Sequence, residues 1–409
     1  MTTQNLSQSW KRNAIIFLSS QAISLFGSAL VQYAITWYIT LETQSGIFTT
    51  LSIVFATVPT LILSPIGGVW ADRYNRKRLI ILADSFIALA TLVMAILFMT
   101  DFRSIWMLLI VTAIRGLGSA VQTPCVNAML PDLVPPEQLT RINGINGTVQ
   151  SAVTFVAPIA SGALFAFAPL GAIFFIDVAT AAIAVLILLF FLKLPAKAKK
   201  VKNGEKSGYL DEMKSGFKYM LQTKFLRNLF TFNTIFMFLL APVIFLSPLQ
   251  VARNFGDDVW RLTLMEVLWS TGMVLGGILV SIWRGFKNKI RTMLLAIFVM
   301  ALGVAALGLP VSFQVYVTIM GSMGIMLPMV NTNANVVLQT RVDPDYMGRV
   351  FSVGMMLNSA VMPLGMIVFG PLADVVSLNT IMLATGLAQL PLVLIALRNK
   401  ELIEAGKPV

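Results

Sequence analysis

Long apolar runs alternate with short polar gaps along almost the whole chain. A helix needs about 20 apolar residues to cross the hydrocarbon core of a bilayer. Twelve runs meet that requirement: 13–40, 47–70, 79–99, 104–124, 143–168, 172–193, 226–250, 262–284, 291–310, 312–338, 349–372 and 378–397. Each predicts a membrane-spanning helix, so the expected fold class is an all-α membrane protein with twelve transmembrane helices. One long polar interruption remains, at 195–225. Its first part reads as a flexible basic linker. From Tyr209 onward, Leu210, Met213, Phe217, Met220 and Leu221 fall on one helical face, which predicts either an amphipathic surface helix or a solvated continuation of the linker.

The polar gaps set the orientation. Cytoplasmic loops are enriched in Lys and Arg. With the N-terminus inside, 26 of the 30 Lys and Arg residues fall in inside segments, three (Arg103, Arg253, Arg261) fall outside, and Arg115 lies within a span. Both termini are therefore expected in the cytoplasm. The polar opening, MTTQNLSQSWKRN, followed by a run too long for a signal-peptide core, predicts no cleavable leader.

Composition narrows the chemistry. Residues are 57% hydrophobic and 12% charged, against about 25% charged in soluble domains. The net charge of +12 does not indicate nucleic acid, because the cations sit in short gaps and form no single surface. One cysteine, Cys125, excludes an internal disulfide and offers no metal cluster. No histidine is present, so proton chemistry near neutral pH is left to carboxylates whose surroundings favour the neutral form. There is no Gly-x-x-x-x-Gly-Lys-Ser/Thr loop to bind ATP, and no nucleophile–base pattern to suggest an enzyme. No cofactor or metal is expected.

Four ionisable residues lie inside spans: Asp84, Arg115, Asp177 and Glu266. A charge at the bilayer centre costs at least about 2.5–3.5 kcal/mol, so each needs a reason. Arg115 lies eleven residues past Ser104, roughly 16 Å into its helix and near the midplane. Asp177 and Glu266 lie only a few residues from their outer ends, at a different depth from Arg115. They are the candidates for carrying a proton, with structural pairing as the alternative. Asp84, shallow on the inner side, is expected to serve structure, paired with the basic loop nearby. On the first helix, Gln21, Ser24, Ser28, Gln32 and Thr36 share one face, flanked by Tyr33 and Trp37. Glutamines facing lipid would be costly, so this stripe is expected to line a substrate cavity or, failing that, an interhelix seam.

The chain also repeats itself. Shifted by 208, Asn127 meets Asn335, Pro136 meets Pro344, Arg141 meets Arg349, Gly68 meets Gly276 and Arg76 meets Arg284. Six spans plus six in the same orientation form a parallel repeat. The expected domains are an N-terminal six-helix bundle (1–194), a cytoplasmic basic linker (195–225) and a C-terminal six-helix bundle (226–409), with substrate bound near the midplane.

These features resemble the major facilitator superfamily along nearly the whole chain. The stretch GGVWADRYNRKR (67–78) is similar to that family's loop motif between spans 2 and 3, matched here by Gly68, Asp72, Arg73, Arg76 and Lys77, with Asn75 where the family often has Gly. Asn tolerates positive φ, so the same turn is expected. Arg115 with Gly116 and Gly118 resembles the span-4 arginine motif of proton-driven exporters. Ala157, Pro158 and Gly162 resemble the span-5 antiporter motif, with Ala and Ser in place of two glycines. QAISLFGSALVQYAI (21–35), NAMLPDLVPPEQLT (127–140) and YMGRVFS (346–352) resemble bacterial macrolide-efflux permeases. The resemblance implies a monomeric transporter in the bacterial cell membrane. It would exchange protons for a bulky, largely apolar drug through coupling at Arg115 and Asp177 or Glu266, with Gly68, Asp72, Arg73, Arg76 and Lys77 as a cytoplasmic gate. Export of an endogenous metabolite, siderophore or lipid on the same fold is the alternative.

Overall fold

The computed structural model describes residues 3–100, 102–192, 209–283 and 285–408. Residues 195–208 of the expected linker (195–225), and Arg284, lie outside the described residues. The described chain is helical: α1 (Thr3–Thr43), α2 (Gly46–Arg73), α3 (Arg76–Met99), α4 (Ile105–Leu133), α5 (Leu139–Phe167), α6 (Leu170–Phe191), α7 (Tyr209–Gln222), α8 (Lys224–Phe255), α9 (Val259–Trp283), α10 (Lys289–Leu307), α11 (Phe313–Arg341), α12 (Pro344–Val375), α13 (Leu378–Arg398) and α14 (Lys400–Ala405). Among the described residues, twelve of these are long and apolar enough to span a membrane, as the hydrophobic pattern predicts.

The helices form two compact units. The first holds α1, α2 from Leu51 onward, α3 to α6, and the short stretch Asp258–Thr263 that opens α9. The second holds Gln44–Thr50, which opens α2, together with α7, α8, α9 from Leu264 onward, and α10 to α14. In the first unit α1 packs on α5 and α6, and α3 on α4 and α6. Phe17, Ile80, Cys125, Met129, Leu130 and Leu188 bring α1, α3, α4 and α6 into one buried cluster. In the second unit α8 packs on α12 and α13, and α10 on α11 and α13.

Local chemistry sets the helix boundaries. Asn75 ends the turn after α2 and caps α3, its side chain accepting from the Arg78 amide at 3.1 Å. Its φ of −72° is extended. The expected positive-φ turn is therefore not used, because an Asn side chain stabilises a helix start as an N-cap. Asn288 caps α10 in the same way, accepting from Arg291 N at 3.2 Å. The segment from Tyr209 is a helix, but its apolar residues divide. Met220 and Gly216 are buried, while Phe217 and Leu221 are exposed. Tyr219 stacks on Tyr346 of α12 with ring centroids 4.3 Å apart.

Candidate functional site

A buried ion pair lies at the heart of the first unit. Arg115 Nη1 on α4 donates to Asp177 Oδ2 on α6 and to Thr91 Oγ1 on α3, while Nη2 donates to the Ser28 carbonyl on α1 at 3.1 Å. Asp177 accepts again from Ser28 Oγ and from Thr91 Oγ1, each at 3.1 Å. Four helices thus meet at one guanidinium and one carboxylate, and Asp177 is fully buried. Gly27 permits this approach: a Cβ there would lie 3.3 Å from the Asp177 Cα and would overlap Thr180. Breaking such a pair by removing one partner leaves an uncompensated buried charge, a loss of roughly 3–5 kcal/mol.

Depth counted along the sequence separated these two residues, and the structure corrects that. Arg115 is ten residues into α4 and Asp177 seven into α6, an axial difference of roughly 5 Å. Side chains on a helix lean towards its N-terminus. The long arginine leans that way and closes the gap.

The polar stripe of α1 runs along the same seam. Ser24 donates to Asp84 Oδ1 at 3.2 Å, Ser28 to Asp177, and Gln32 Nε2 to Thr36 Oγ1 at 3.4 Å. Gln21, Ser24 and Trp37 are buried, while Ser28, Gln32, Tyr33 and Thr36 are half-buried. Tyr33 and Trp37 pack with their rings tilted by 56°, 5.6 Å between centroids. For Ser24 and Ser28 the seam is therefore the observed environment. Asp84 was expected to pair with the basic loop. Instead Gln122 Nε2 holds it at 2.6 Å together with Ser24. Glu266 belongs to the second unit, is half-buried, and has no hydrogen-bond or ion-pair partner among the described residues. On α5, Ala157 and Pro158 are buried and the helix continues through Pro158. Gly162 lies against Thr263, where a Cβ would overlap the threonine side chain.

The loop after α2 divides by role. Arg76 donates to Asp132 Oδ2 at 2.6 Å and to the carbonyls of Ala71 and Ala128 at 2.8 and 2.7 Å, which ties the loop to α4. Lys77 Nζ caps the end of α6 by donating to the carbonyls of Leu189 and Leu192 at 3.3 and 2.8 Å. A cation at a helix C-terminus is favoured by the dipole. Asp72 is 71% exposed, with Arg76 at 3.6 Å. Arg73 is exposed, and Gly68 faces open space.

The model of the Major Facilitator Superfamily matches residues 17–366. The chain belongs to that superfamily. It is 32% identical over 379 residues to Macrolide efflux protein A of Streptococcus pyogenes, covering 92% of this chain and 93% of that protein. It is 23% identical to the Multidrug efflux pump Tap of Mycolicibacterium fortuitum, over 97% of this chain and 99% of the relative. Among solved structures, a POT family transporter in complex with 5-aminolevulinic acid aligns with a TM-score of 0.71 at 13% identity, covering 94% of this chain and 95% of that one. A bacterial homologue of the iron transporter ferroportin in an inward-facing state aligns with a TM-score of 0.68 at 16% identity, covering 94% and 98%. At these identities the structures show the fold alone. As a facilitator-superfamily member the protein is a multi-pass bacterial membrane transporter of small molecules.

One cluster escaped the sequence reading although this transporter spells it out twice. Gly370-Pro-Leu-Ala-Asp374 at the end of α12 repeats the Gly-x-x-Ala-Asp of Gly68–Asp72. Asp374 accepts from the amides of Gly46 and Ile47 at 2.6 and 3.0 Å and from Ser45 Oγ at 2.8 Å. Arg253 at the end of α8 pairs with Asp374 at 2.9 Å and also donates to the carbonyls of Gln44 and Ala373. Gln44 is the one non-glycine residue with positive φ (45°) among the described residues, and the arginine holds its carbonyl in place.

Proposed function

We propose that the protein exports bulky, largely apolar drugs of macrolide type in exchange for protons, by alternating access of two six-helix bundles (1–194 and 226–409) joined by the linker 195–225. It works as a monomer with both termini in the cytoplasm. The observation that carries the coupling is the Arg115–Asp177 pair, closed across α1, α3, α4 and α6. A proton on Asp177 removes the charge that holds Arg115 and loosens all four helices at one point. Loss of that proton restores the pair. Binding of drug and proton then compete through the same helix packing. Glu266 is the second proton-carrying candidate, in the other unit. Gly68, Asp72 and Arg73 form the cytoplasmic latch, for which Arg76 and Lys77 hold the loop. Pro158 and Gly162 keep exchange coupled, and the half-buried Gln32, Tyr33 and Thr36 face the substrate path. The 32% identity to Macrolide efflux protein A supports the drug class.

The test is drug-induced proton movement in proteoliposomes. Wild-type protein should release protons on drug addition. Asp177→Asn should insert normally and lose at least about tenfold of that signal, equivalent to about 1.4 kcal/mol. If Asp177→Asn with Glu266→Gln still couples at the wild-type ratio, the coupling assignment is wrong.

A further inference from the structure

Helix α7 carries two different faces. One is docked on α12: Gly216 lies against Arg349, Met220 is buried, and Tyr219 stacks on Tyr346. The other presents Lys214, Phe217, Lys218 and Leu221, spaced i, i+3, i+4 and i+7 along one stripe. Phe217 and Leu221 are 41% and 44% exposed, a costly arrangement in water for two large apolar side chains side by side. With Met356 of α12, Lys214, Lys218 and Gln222 they line a groove of about 500 Å³ whose surface is almost entirely apolar. Among the described residues neither Lys214 nor Lys218 has a hydrogen-bond or ion-pair partner.

We infer that this groove is a binding site for one anionic phospholipid, with its phosphate between Lys214 and Lys218 and an acyl chain along Phe217, Leu221 and Met356. Two features select this occupant. Two exposed lysines lie along an apolar trough, which matches a charged head on a hydrocarbon chain. Met356 lies on a membrane-spanning helix, twelve residues past its start at Pro344, roughly 18 Å along the axis, so the trough leads from α7 along the side of that helix. Anionic lipids attract basic segments at the inner leaflet, and lysine stems cover apolar surface while their heads stay wet. The residues just before α7 carry Lys199, Lys200, Lys202 and Lys206, which Lys214 and Lys218 would repel. The site holds α7 to the membrane surface at the point where the linker enters the second unit. It does not depend on the identity of the exported compound or on proton coupling.

The experiment uses the full chain in detergent with added phosphatidylglycerol, phosphatidylcholine or inorganic phosphate, read by thermal unfolding and native mass spectrometry. Phosphatidylglycerol should raise the wild-type midpoint by about 2 °C or more above phosphatidylcholine and leave a retained lipid adduct. Lys214→Gln with Lys218→Gln should lose both effects while keeping the midpoint in phosphatidylcholine, and the Lys→Arg pair should keep both. Equal shifts in wild type and the Gln variant would overturn the site. So would inorganic phosphate reproducing the whole effect, since the trough would then have no part. A change of oligomeric state in the Gln variant would give the face to a second copy and overturn the lipid.

Discussion

The same five-residue pattern ends two helices of this transporter, and the two copies live in different surroundings. At the end of α2, Gly68 faces open space and Asp72 is 71% exposed, with Arg76 at 3.6 Å. At the end of α12, Gly370 is pressed against Gly46 and Thr50, and Asp374 is 23% exposed and holds two backbone amides and a serine. The difference lies in the partner. Asp374 meets the start of a helix, where the first amides lack intrahelical acceptors and the dipole favours an anion. Asp72 in its own unit meets solvent and one arginine. The pattern is thus a device for gripping a helix N-terminus, and it does so only when one is presented. In our reading of the cytoplasmic latch, Asp72 awaits such a partner.

The largest effect expected is from Asp374→Ala. It strips acceptors from the Gly46 and Ile47 amides and removes the carboxylate facing Arg253. Unsatisfied groups cost about 1–3 kcal/mol each when buried. With partial exposure here, a net loss of about 2 kcal/mol is expected, seen as a lower unfolding midpoint in detergent. Asp374→Asn should recover part of it, because the amide oxygen still accepts. If Asp374→Ala unfolds at the wild-type temperature, the grip contributes nothing.

Next is Gly370→Ala. The added Cβ would lie 2.9 Å from the Gly46 carbonyl oxygen and overlap the Thr50 hydroxyl. Overpacking of this kind costs about 1–3 kcal/mol. The double variant with Thr50→Ala or Thr50→Ser tests the contact itself: Thr50→Ala should relieve the clash with Oγ1 but only part of the strain, because the Thr50 Cβ would still lie 2.7 Å from the added methyl, and Thr50→Ser, which keeps the hydroxyl, should relieve less.

These contacts also show what a sequence can and cannot tell. The twelve spans were legible because run length against bilayer thickness is a one-dimensional signal. The importance of Arg115 was legible because an intramembrane cation is costly. Its partner was not. Counting residues measures Cα depth, and it ignores the lean and length of an arginine side chain. Ser24 and Ser28 were found by spacing, but spacing says only that they share a face. Whether a face meets a cavity or a carboxylate on α3 or α6 is a matter of packing. Asp374 was missed because a charge at a helix end needs no special explanation, although its Gly-x-x-Ala-Asp match to Gly68–Asp72 was there to be read.

A third substitution, Asp72→Asn, separates stability from transport. Among the described residues its one ion pair is the 3.6 Å approach of Arg76, which keeps Asp132 as its main partner. An exposed pair of this kind contributes about 0–1 kcal/mol, so the unfolding midpoint should hardly move. Transport in proteoliposomes should nevertheless fall if Asp72 grips a helix start at some stage of the cycle. Unchanged midpoint with unchanged transport would leave Asp72 as a solvated end and remove the latch.

The smallest effect is expected from Gly68→Ala, and its sign is the informative part. Among the described residues nothing lies within 4 Å of the added Cβ, so no clash offsets the gain in helix propensity. Alanine in a helix interior is favoured over glycine by about 0.5–1 kcal/mol. Gly68→Ala should therefore unfold at the wild-type temperature or slightly above it, opposite in sign to Gly370→Ala. The same methyl group enters the same pattern in both variants, so the local sequence cannot account for opposite signs; only the presence or absence of a gripped helix can. If Gly68→Ala destabilises as much as Gly370→Ala, a close neighbour faces Gly68 in solution and the contrast between the two ends is lost. If it is neutral to unfolding but slows transport, the space in front of Gly68 is filled only during the cycle, which is the behaviour a latch glycine requires.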